Sequence, residues 1–510
     1  MKRFVRWILL AVLALVTMAL ASCGMRDDTI YYLNFKPESA QAFDRIAQKY
    51  KEETGVTLRV VTAASGTYEQ TLKSEIGKAD APAIFQINGP VGFNSWKNYC
   101  ADLSETEIYR HITDRSLCIT EGGKVYGLPY VVEGYGIIYN SEITDRYFQL
   151  PNRATSVSSM EEINSFAELK AVVEDMTAHK NELGIEGVFA STSLKSGEDW
   201  RWHTHLANVP VYYEFLDREI EIGKPESYKN VYLTYSDAYR NIFDLYINNS
   251  VTSPKLLGSK QVADSMAEFA LGKCAMVQNG NWAYGQIKDV NGNKVKESAV
   301  KFLPIYTGIT GEEEQGLCIG TEGYLAINKN VSAEKQKMAA DFLAWLYTSE
   351  SGKEFVINDL GFIPPFDTFA NQKPKDVLSK QVSEWMDKED VFTVPWIFQV
   401  FPSQNFKDAV GAALLQYAQG TVTWENVKET FVKEWARETG SSLPTPPESG
   451  TESGTPSDSV SDSVGDFASE SVSESASESE TAPISDSASG SESTVVEGLE
   501  SRIREVLPWG

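Results

Sequence analysis

At 510 residues the chain has room for two or three domains with sizeable cores, and a content of 42% hydrophobic and 11% aromatic residues fits a mostly globular protein. Its formal net charge of −25 excludes a nucleic-acid binder, because no excess of Lys and Arg is available to displace phosphate counterions. The charge is uneven: over 441–510, fourteen Asp and Glu face only Arg502 and Arg504, a net −12 that leaves a moderately acidic −13 on the rest.

Lys2, Arg3 and Arg6 form a basic start, and Trp7 to Leu20 an apolar run of signal-peptide length. Leu20-Ala21-Ser22-Cys23 then resembles the bacterial lipobox. That resemblance implies a lipoprotein signal peptide over 1–22, cleavage before Cys23, acyl chains such as palmitate on Cys23, and a tether over 23–29. A retained membrane helix is the weaker reading, since the run is short for a span. Several acyl chains on one residue anchor stably where one is marginal. The expected location is the extracytoplasmic face of the bacterial cell membrane.

Without Cys23 the cysteines are Cys100, Cys118, Cys274 and Cys318. An even number in an exported chain permits two disulfides. Cys100–Cys118 and Cys274–Cys318 pair near neighbours; other pairings and free thiols stay open. None has CxxC spacing, so neither a metal nor a cofactor is expected.

A strand opens at Ile30, and Asn34 to Glu38, with Lys36 inside it, leads into a helix burying Phe43, Ile46, Ala47 and Tyr50 at helical spacing. Val56 to Val61 reads as a second strand, Thr67 to Ile76 as a short helix and Ala83 to Ile87 as a third strand. The alternation predicts a mostly parallel sheet with helices on its faces. Ligands in such sheets sit at the carboxyl ends of strands, so Lys36, Glu38, Ser65, Tyr68, Gln86 and Asn88 are candidate contacts, or simple connections.

In Gly122 to Asn140 two apolar strands are expected to flank Glu133-Gly134-Tyr135-Gly136. A carboxylate there needs a partner, so Glu133 is either a ligand contact or half of an internal ion pair; Tyr135 stands beside it. Ser165 to Glu168 fits a capping box opening a helix to about His179. Glu198 to His205 is a dense polar-aromatic cluster. Trp200 and Trp202 offer rings for a sugar face, and Asp199 and Arg201 offer groups for hydroxyls; the alternative is a helix start with Asp199 near the cap and the tryptophans inward. His203 and His205 share a face only on a strand and lack an evident third metal ligand.

Gly272 to Lys288 reads GKCAMVQNGNWAYGQIK. Its apolar run suits a buried strand, Asn279-Gly280-Asn281 signals a turn, and Trp282 follows. This is either one wall of a ligand cleft, with Asn279 and Asn281 offering amides and Trp282 a flat face, or an ordinary connection with Trp282 in the core. Val300 to Ile305 and Gly316 to Asn328 include further strands, the latter carrying Glu322. Ser332 caps a long amphipathic helix. Trp396 lies in an aromatic loop before helices around 405–419 and 424–437. Beyond Gly440 the chain turns to Ser, Glu, Asp, Pro and Gly, expected to be disordered over 441–494. Apolar spacing predicts a short amphipathic helix over 495–510.

The lipobox, the early strand–helix pairs, GKCAMVQNGNWAYGQIK, VKFLPIY, GYLAIN, ADFLAWLYTSESGKEFV and GFIPPF follow one another in an order that resembles the extracellular solute-binding proteins of bacterial ABC importers, most closely the maltose-type carbohydrate binders. The resemblance covers about 30–439. It implies an α/β, two-lobe periplasmic-binding-protein-like fold (type II), its lobes joined by crossover strands around a central cleft. The lobes would be 30–132 with 325–370, and 133–324 with 371–440. It implies no enzyme but a monomeric, lipid-anchored protein that captures a carbohydrate, expected to be an oligosaccharide, and delivers it to membrane permease subunits. Trp282 would stack on a sugar ring, Glu133 bond hydroxyls, Trp200 and Trp202 line the second lobe, and Trp396 add an aromatic wall. The chain departs from the maltose binders at Gln86 to Gly89, so maltose itself is not implied. A secreted glycosidase using Glu133 and Asp199, a surface adhesin, and a peptide or polyamine ligand are the competing readings.

Overall fold

The computed structural model describes residues 28–443 apart from Ser65. The signal segment 1–22, Cys23 with the tether before residue 28, Ser65, and the tail beyond 443 with its expected 495–510 helix lie outside the described residues.

Strand β1 (Thr29–Asn34) shows how the first half is built. Ile30 and Tyr32 face a core with Phe43, Ile46 and Tyr50 of the helix Ala40–Thr54, while Tyr31 and Leu33 face a second core with Leu72 and Phe93. Alternate residues are thus buried on opposite faces, as expected of a strand covered by helices on both sides. Gly55 ends the first helix in the left-handed conformation (φ 79°) that glycine adopts without steric cost.

Around β1 runs a six-stranded sheet in the order β2 (Thr57–Thr62), β1, β3 (Ile84–Asn88), β10 (Gly323–Ile327), β5 (Lys124–Pro129) and β4 (Ile119–Glu121). The second sheet has β11 (Phe392–Pro395), β9 (Gln315–Gly320), β6 (Glu133–Asn140) and β7 (Met276–Gly280) in that order, with β8 (Val300–Leu303) also paired to β6. Among the strands of the described residues only β1–β2, β1–β3 and β9–β11 pair in parallel. The expected mostly parallel sheet is therefore replaced by two mixed ones. Strand β10 enters the first sheet antiparallel to both β3 and β5. Strands β4 and β5 form a hairpin whose Gly122 and Gly123 both have positive φ (60° and 78°), the signature of a primed two-residue turn.

The chain passes between the sheets at 130–132, where β5 gives way to β6, and at Thr321-Glu322, between β9 and β10. It passes again after Phe362, which packs in the first sheet's core, toward Leu378 and Val382, which pack in the second's. Glu133 opens β6 rather than sitting in a break between two strands. Asn279 and Gly280 likewise belong to β7, opposite Gly136 and Tyr135 of β6, so the chain leaves the strand only at Asn281. Long-range pairing here overrides a local turn signal.

The expected disulfides are absent: Cys100, Cys118, Cys274 and Cys318 are free, buried thiols. Cys100 and Cys118 belong to the cores on opposite faces of the first sheet. Cys274 and Cys318 lie on either side of β6, which pairs β9 at its beginning and β7 along its length. Two strand spacings are about 9.5 Å, beyond the reach of a disulfide. Burial raises all four thiol pKa values, those of Cys100, Cys118 and Cys318 to about 12. Among the described residues no helix is long and apolar enough to cross a membrane.

Candidate functional site

The carboxyl end of β1 delivers Lys36 to the base of the cleft between the sheets. Asn34 holds the turn: its Nδ2 donates to the Lys36 carbonyl at 2.9 Å, and the Lys36 amide donates to its Oδ1 at 3.1 Å. Lys36 Nζ then reaches both carboxylate oxygens of Glu133 at 2.8 Å, with Glu38 at 3.7 Å. The Lys36 and Glu133 side chains are 8% and 7% exposed. Of the two readings open for Glu133, the structure supplies the ion pair. Burial pulls the Lys36 pKa down, but Glu133 and Glu38 more than offset it, and the ammonium titrates above its ordinary range.

Above this pair stands a group of rings. Trp282 is half-buried, its centroid 6.0 Å from Trp200, 5.7 Å from His205 and 6.2 Å from Trp396. Trp396 continues to Tyr135 (5.5 Å) and Phe398 (5.2 Å). Lys36 Nζ is 6.0 Å from the Trp282 centroid, so charge and rings share one space. Two glycines make room. A Cβ on Gly280 would lie 2.1 Å from the Trp282 ring, and one on Gly320 would lie 2.7 Å from Trp396. Gly280→Ala is therefore expected to swing Trp282 away from its neighbours. Tryptophan fluorescence should shift and affinity fall although no contact residue is removed; an unchanged spectrum and affinity would show that Trp282 is not held there.

Trp200 and Trp202 do not act together. Trp200 is half-buried beside Trp282, whereas Trp202 is 1% exposed, packs on Phe243 and Tyr246, and donates its indole N–H to the Ser193 carbonyl at 2.8 Å. Residues two apart on a helix point to nearly opposite sides. The segment Arg201–Leu206 is a π-helix, whose i to i+5 period brings His205 under Trp200 with centroids 4.7 Å apart. His205, unremarked as a wall residue in the sequence, is thereby a ring of the cleft. Burial, then the charge of Arg201, keeps it neutral. No group of three or more His, Cys, Asp or Glu among the described residues is placed to hold a metal.

Several expected contacts are occupied by the protein itself. Asn281 accepts from the Gly134 amide (3.0 Å) and donates to Ser379 Oγ (2.9 Å). Asn279 accepts from Arg201 Nη2 (3.2 Å) and from the Gly280 amide. Gln86 Nε2 donates to Tyr130 (2.7 Å) while its Oε1 accepts from the Phe35 amide. Tyr68 donates to the Gln86 carbonyl (2.9 Å), and the Tyr135 hydroxyl to the His205 carbonyl (2.8 Å). Asp199 is 3% exposed and accepts from the Gly197 amide at 3.1 Å. These six side chains shape the cleft from behind.

Beside the rings a cavity of about 240 Å³ is lined by Glu69, Asn88, Glu322, Phe398, Gln399 and Lys407 among others. Glu322 sits on the crossover between β9 and β10, and burial raises its carboxyl pKa. Lys407 faces Glu322 and Glu69, and burial lowers its pKa. Asn88 Oδ1 is buried without a donor. Sequence reasoning found Asn88 and Glu322 but not Glu69 or Lys407, whose helices carry no local signal of a cleft. The halves of the molecule meet over this region. A Cβ on Gly66 would lie 2.4 Å from the Gly197 carbonyl oxygen, and Tyr324 donates to Gln399 Oε1 at 3.2 Å.

The arrangement offers flat apolar faces next to a few fixed charges and amides, which suits a ligand with C–H faces and a polar rim. A family model described as bacterial extracellular solute-binding protein matches residues 45–386. Among solved structures, a chitin oligosaccharide binding protein superposes with a TM-score of 0.63 at 18% identity, covering 81% of this chain and 98% of its own. A Bacillus licheniformis sugar transporter in complex with stachyose gives 0.58 at 17% identity, over 80% and 99% of the two chains. The solute-binding protein RafE in complex with raffinose gives 0.59 at 17%, over the same shares. At these identities the likeness carries the fold, and it is the two-lobe α/β fold expected above.

Proposed function

The chain belongs to the bacterial extracellular solute-binding proteins, a family of receptors that bind rather than transform their ligands, and on that premise we propose that it captures an oligosaccharide between its lobes for an ABC importer. The observation that carries this reading is the group of Trp282, Trp200, His205 and Trp396 placed directly over the Lys36–Glu133 pair. A sugar ring presents C–H groups on its faces and hydroxyls around its rim, so it needs plates and fixed polar groups side by side. The neighbours solved with stachyose and raffinose support the same class of ligand. In this reading Trp282 and Trp200 stack on sugar and Trp396, 2% exposed, backs them, while Lys36, Glu38, Asn88, Glu133 and Glu322 face the rim.

We take the lobes to be 30–132 with 325–370 and 133–324 with 371–440, swinging about the crossovers. Closure excludes water and strengthens the polar contacts that remain. Acylation at Cys23 would hold the receptor, as a monomer, next to permease subunits in the membrane. Calorimetry with a glycan panel, with product analysis of each mixture, tests the function. Saturable binding at one site without turnover is expected. Turnover, or no glycan bound, would overturn it.

A further inference from the structure

Among the described residues, no acceptor answers two of the donor nitrogens of the Arg201 guanidinium, which lies against the cleft ring Trp200. Its side chain is 2% exposed, and Nε and Nη1 are both buried with no hydrogen-bond acceptor. The guanidinium stacks on Trp200 with its carbon 3.9 Å from the ring centroid, and Nη2 alone is engaged, on Asn279. Lys36, beneath the rings, has Glu133 in direct contact, and Lys407, in the cavity beside them, faces Glu322 and Glu69. The carboxylates that act on Arg201 from a distance are Glu198 and Glu38. Glu198 is held by Lys195 at 3.2 Å and the Val262 amide at 2.7 Å, and Glu38 stands 3.7 Å from Lys36.

A buried ion without a partner is costly, and open donors on it add to that cost. Stacking on Trp200 recovers only part of that cost. Burial draws the Arg201 pKa down to about 9, which still leaves it protonated at neutral pH. A neutral hydroxyl would satisfy one donor. An oxyanion would satisfy an open donor and the charge together. Trp200 supplies the plate beside it, so the anionic group and the ring bearing it would be read by adjacent residues.

We propose that Arg201 receives an anionic substituent of the bound glycan, a carboxylate or a sulfate ester, so that the receptor selects acidic over neutral oligosaccharides. This rests on the carbohydrate reading and narrows its substrate class. The test is a glycan array of neutral oligosaccharides printed beside their uronate and sulfated counterparts, probed with the wild type and with Arg201→Gln. The wild type is expected to bind one acidic class at least tenfold more tightly than its neutral parent; which class responds separates carboxylate from sulfate. Arg201→Gln should lose that preference while keeping neutral binding. Neutral glycans bound equally well by the wild type, or a preference surviving in Arg201→Gln, would overturn the inference and leave the carbohydrate reading standing. No binding to any glycan would overturn both. If Arg201→Gln fails to fold, Glu198→Gln carries the test: removing the first of the two carboxylates that act on Arg201 should tighten acidic glycans severalfold and leave neutral ones unchanged, and no change would count against the proposal.

Discussion

Glu133→Ala is expected to destabilise the protein by roughly 3–5 kcal/mol, the cost of leaving one member of a buried ion pair without the other. The lysine left behind is Lys36, which is 7% exposed and has no other carboxylate closer than Glu38 at 3.7 Å. Lys36→Met should cost a similar amount. The double variant Lys36→Met/Glu133→Leu should recover most of the loss, because an apolar pair of similar volume carries no desolvation penalty. Denaturant midpoints of the ligand-free protein read all three. If Glu133 were only a ligand contact, the single variants would unfold at the wild-type midpoint. The pH dependence has a definite sign. The Lys36 pKa is raised in the folded state, so its contribution is complete at neutral pH and is lost only as pH climbs beyond the ordinary lysine range.

Trp282→Ala is expected to weaken glycan binding by about 2 kcal/mol or more, about thirtyfold in Kd, as is usual for an aromatic anchor at the centre of a binding surface. Its melting profile should change little, because Trp282 is half-buried and its ring rests on glycine and on other cleft rings. Trp202→Ala gives the contrast. That ring is enclosed by Phe243 and Tyr246, and its truncation should unfold the second lobe before any binding defect is measurable. A Trp282→Ala protein that binds as the wild type does, or that melts far earlier, would place Trp282 in the core.

The parts of this site legible in the sequence are those with a local physical signature. Ser165 and Ser332 read as helix caps, and their side chains accept from Glu168 and Lys335 amides. Trp200 and Trp282 stood out as aromatics beside polar residues and Trp396 as part of an aromatic loop, and the fold brings them together. What could not be read depends on partners distant in the chain. Asn281 looked like a ligand amide, but it ties Gly134 to Ser379, residues brought beside it only by the sheet and the returning helix. Asn279-Gly280 looked like a turn until β6 claimed it as strand. Nothing in Arg201 to Leu206 announces a π-helix, so the pairing of Trp200 with His205 was hidden by a 3.6-residue period. The cysteines were near neighbours in sequence, yet in each pair they lie on opposite sides of a sheet or strand.

A crystal structure with a bound oligosaccharide, soaked or co-crystallised from the panel above, decides whether the Trp282 face holds sugar. A sugar ring is expected within about 4 Å of the Trp282 face, with Trp200 along its edge and the Lys36–Glu133 pair beneath. A glycan bound outside the cleft, with Trp282 still covered only by protein, would contradict this placement.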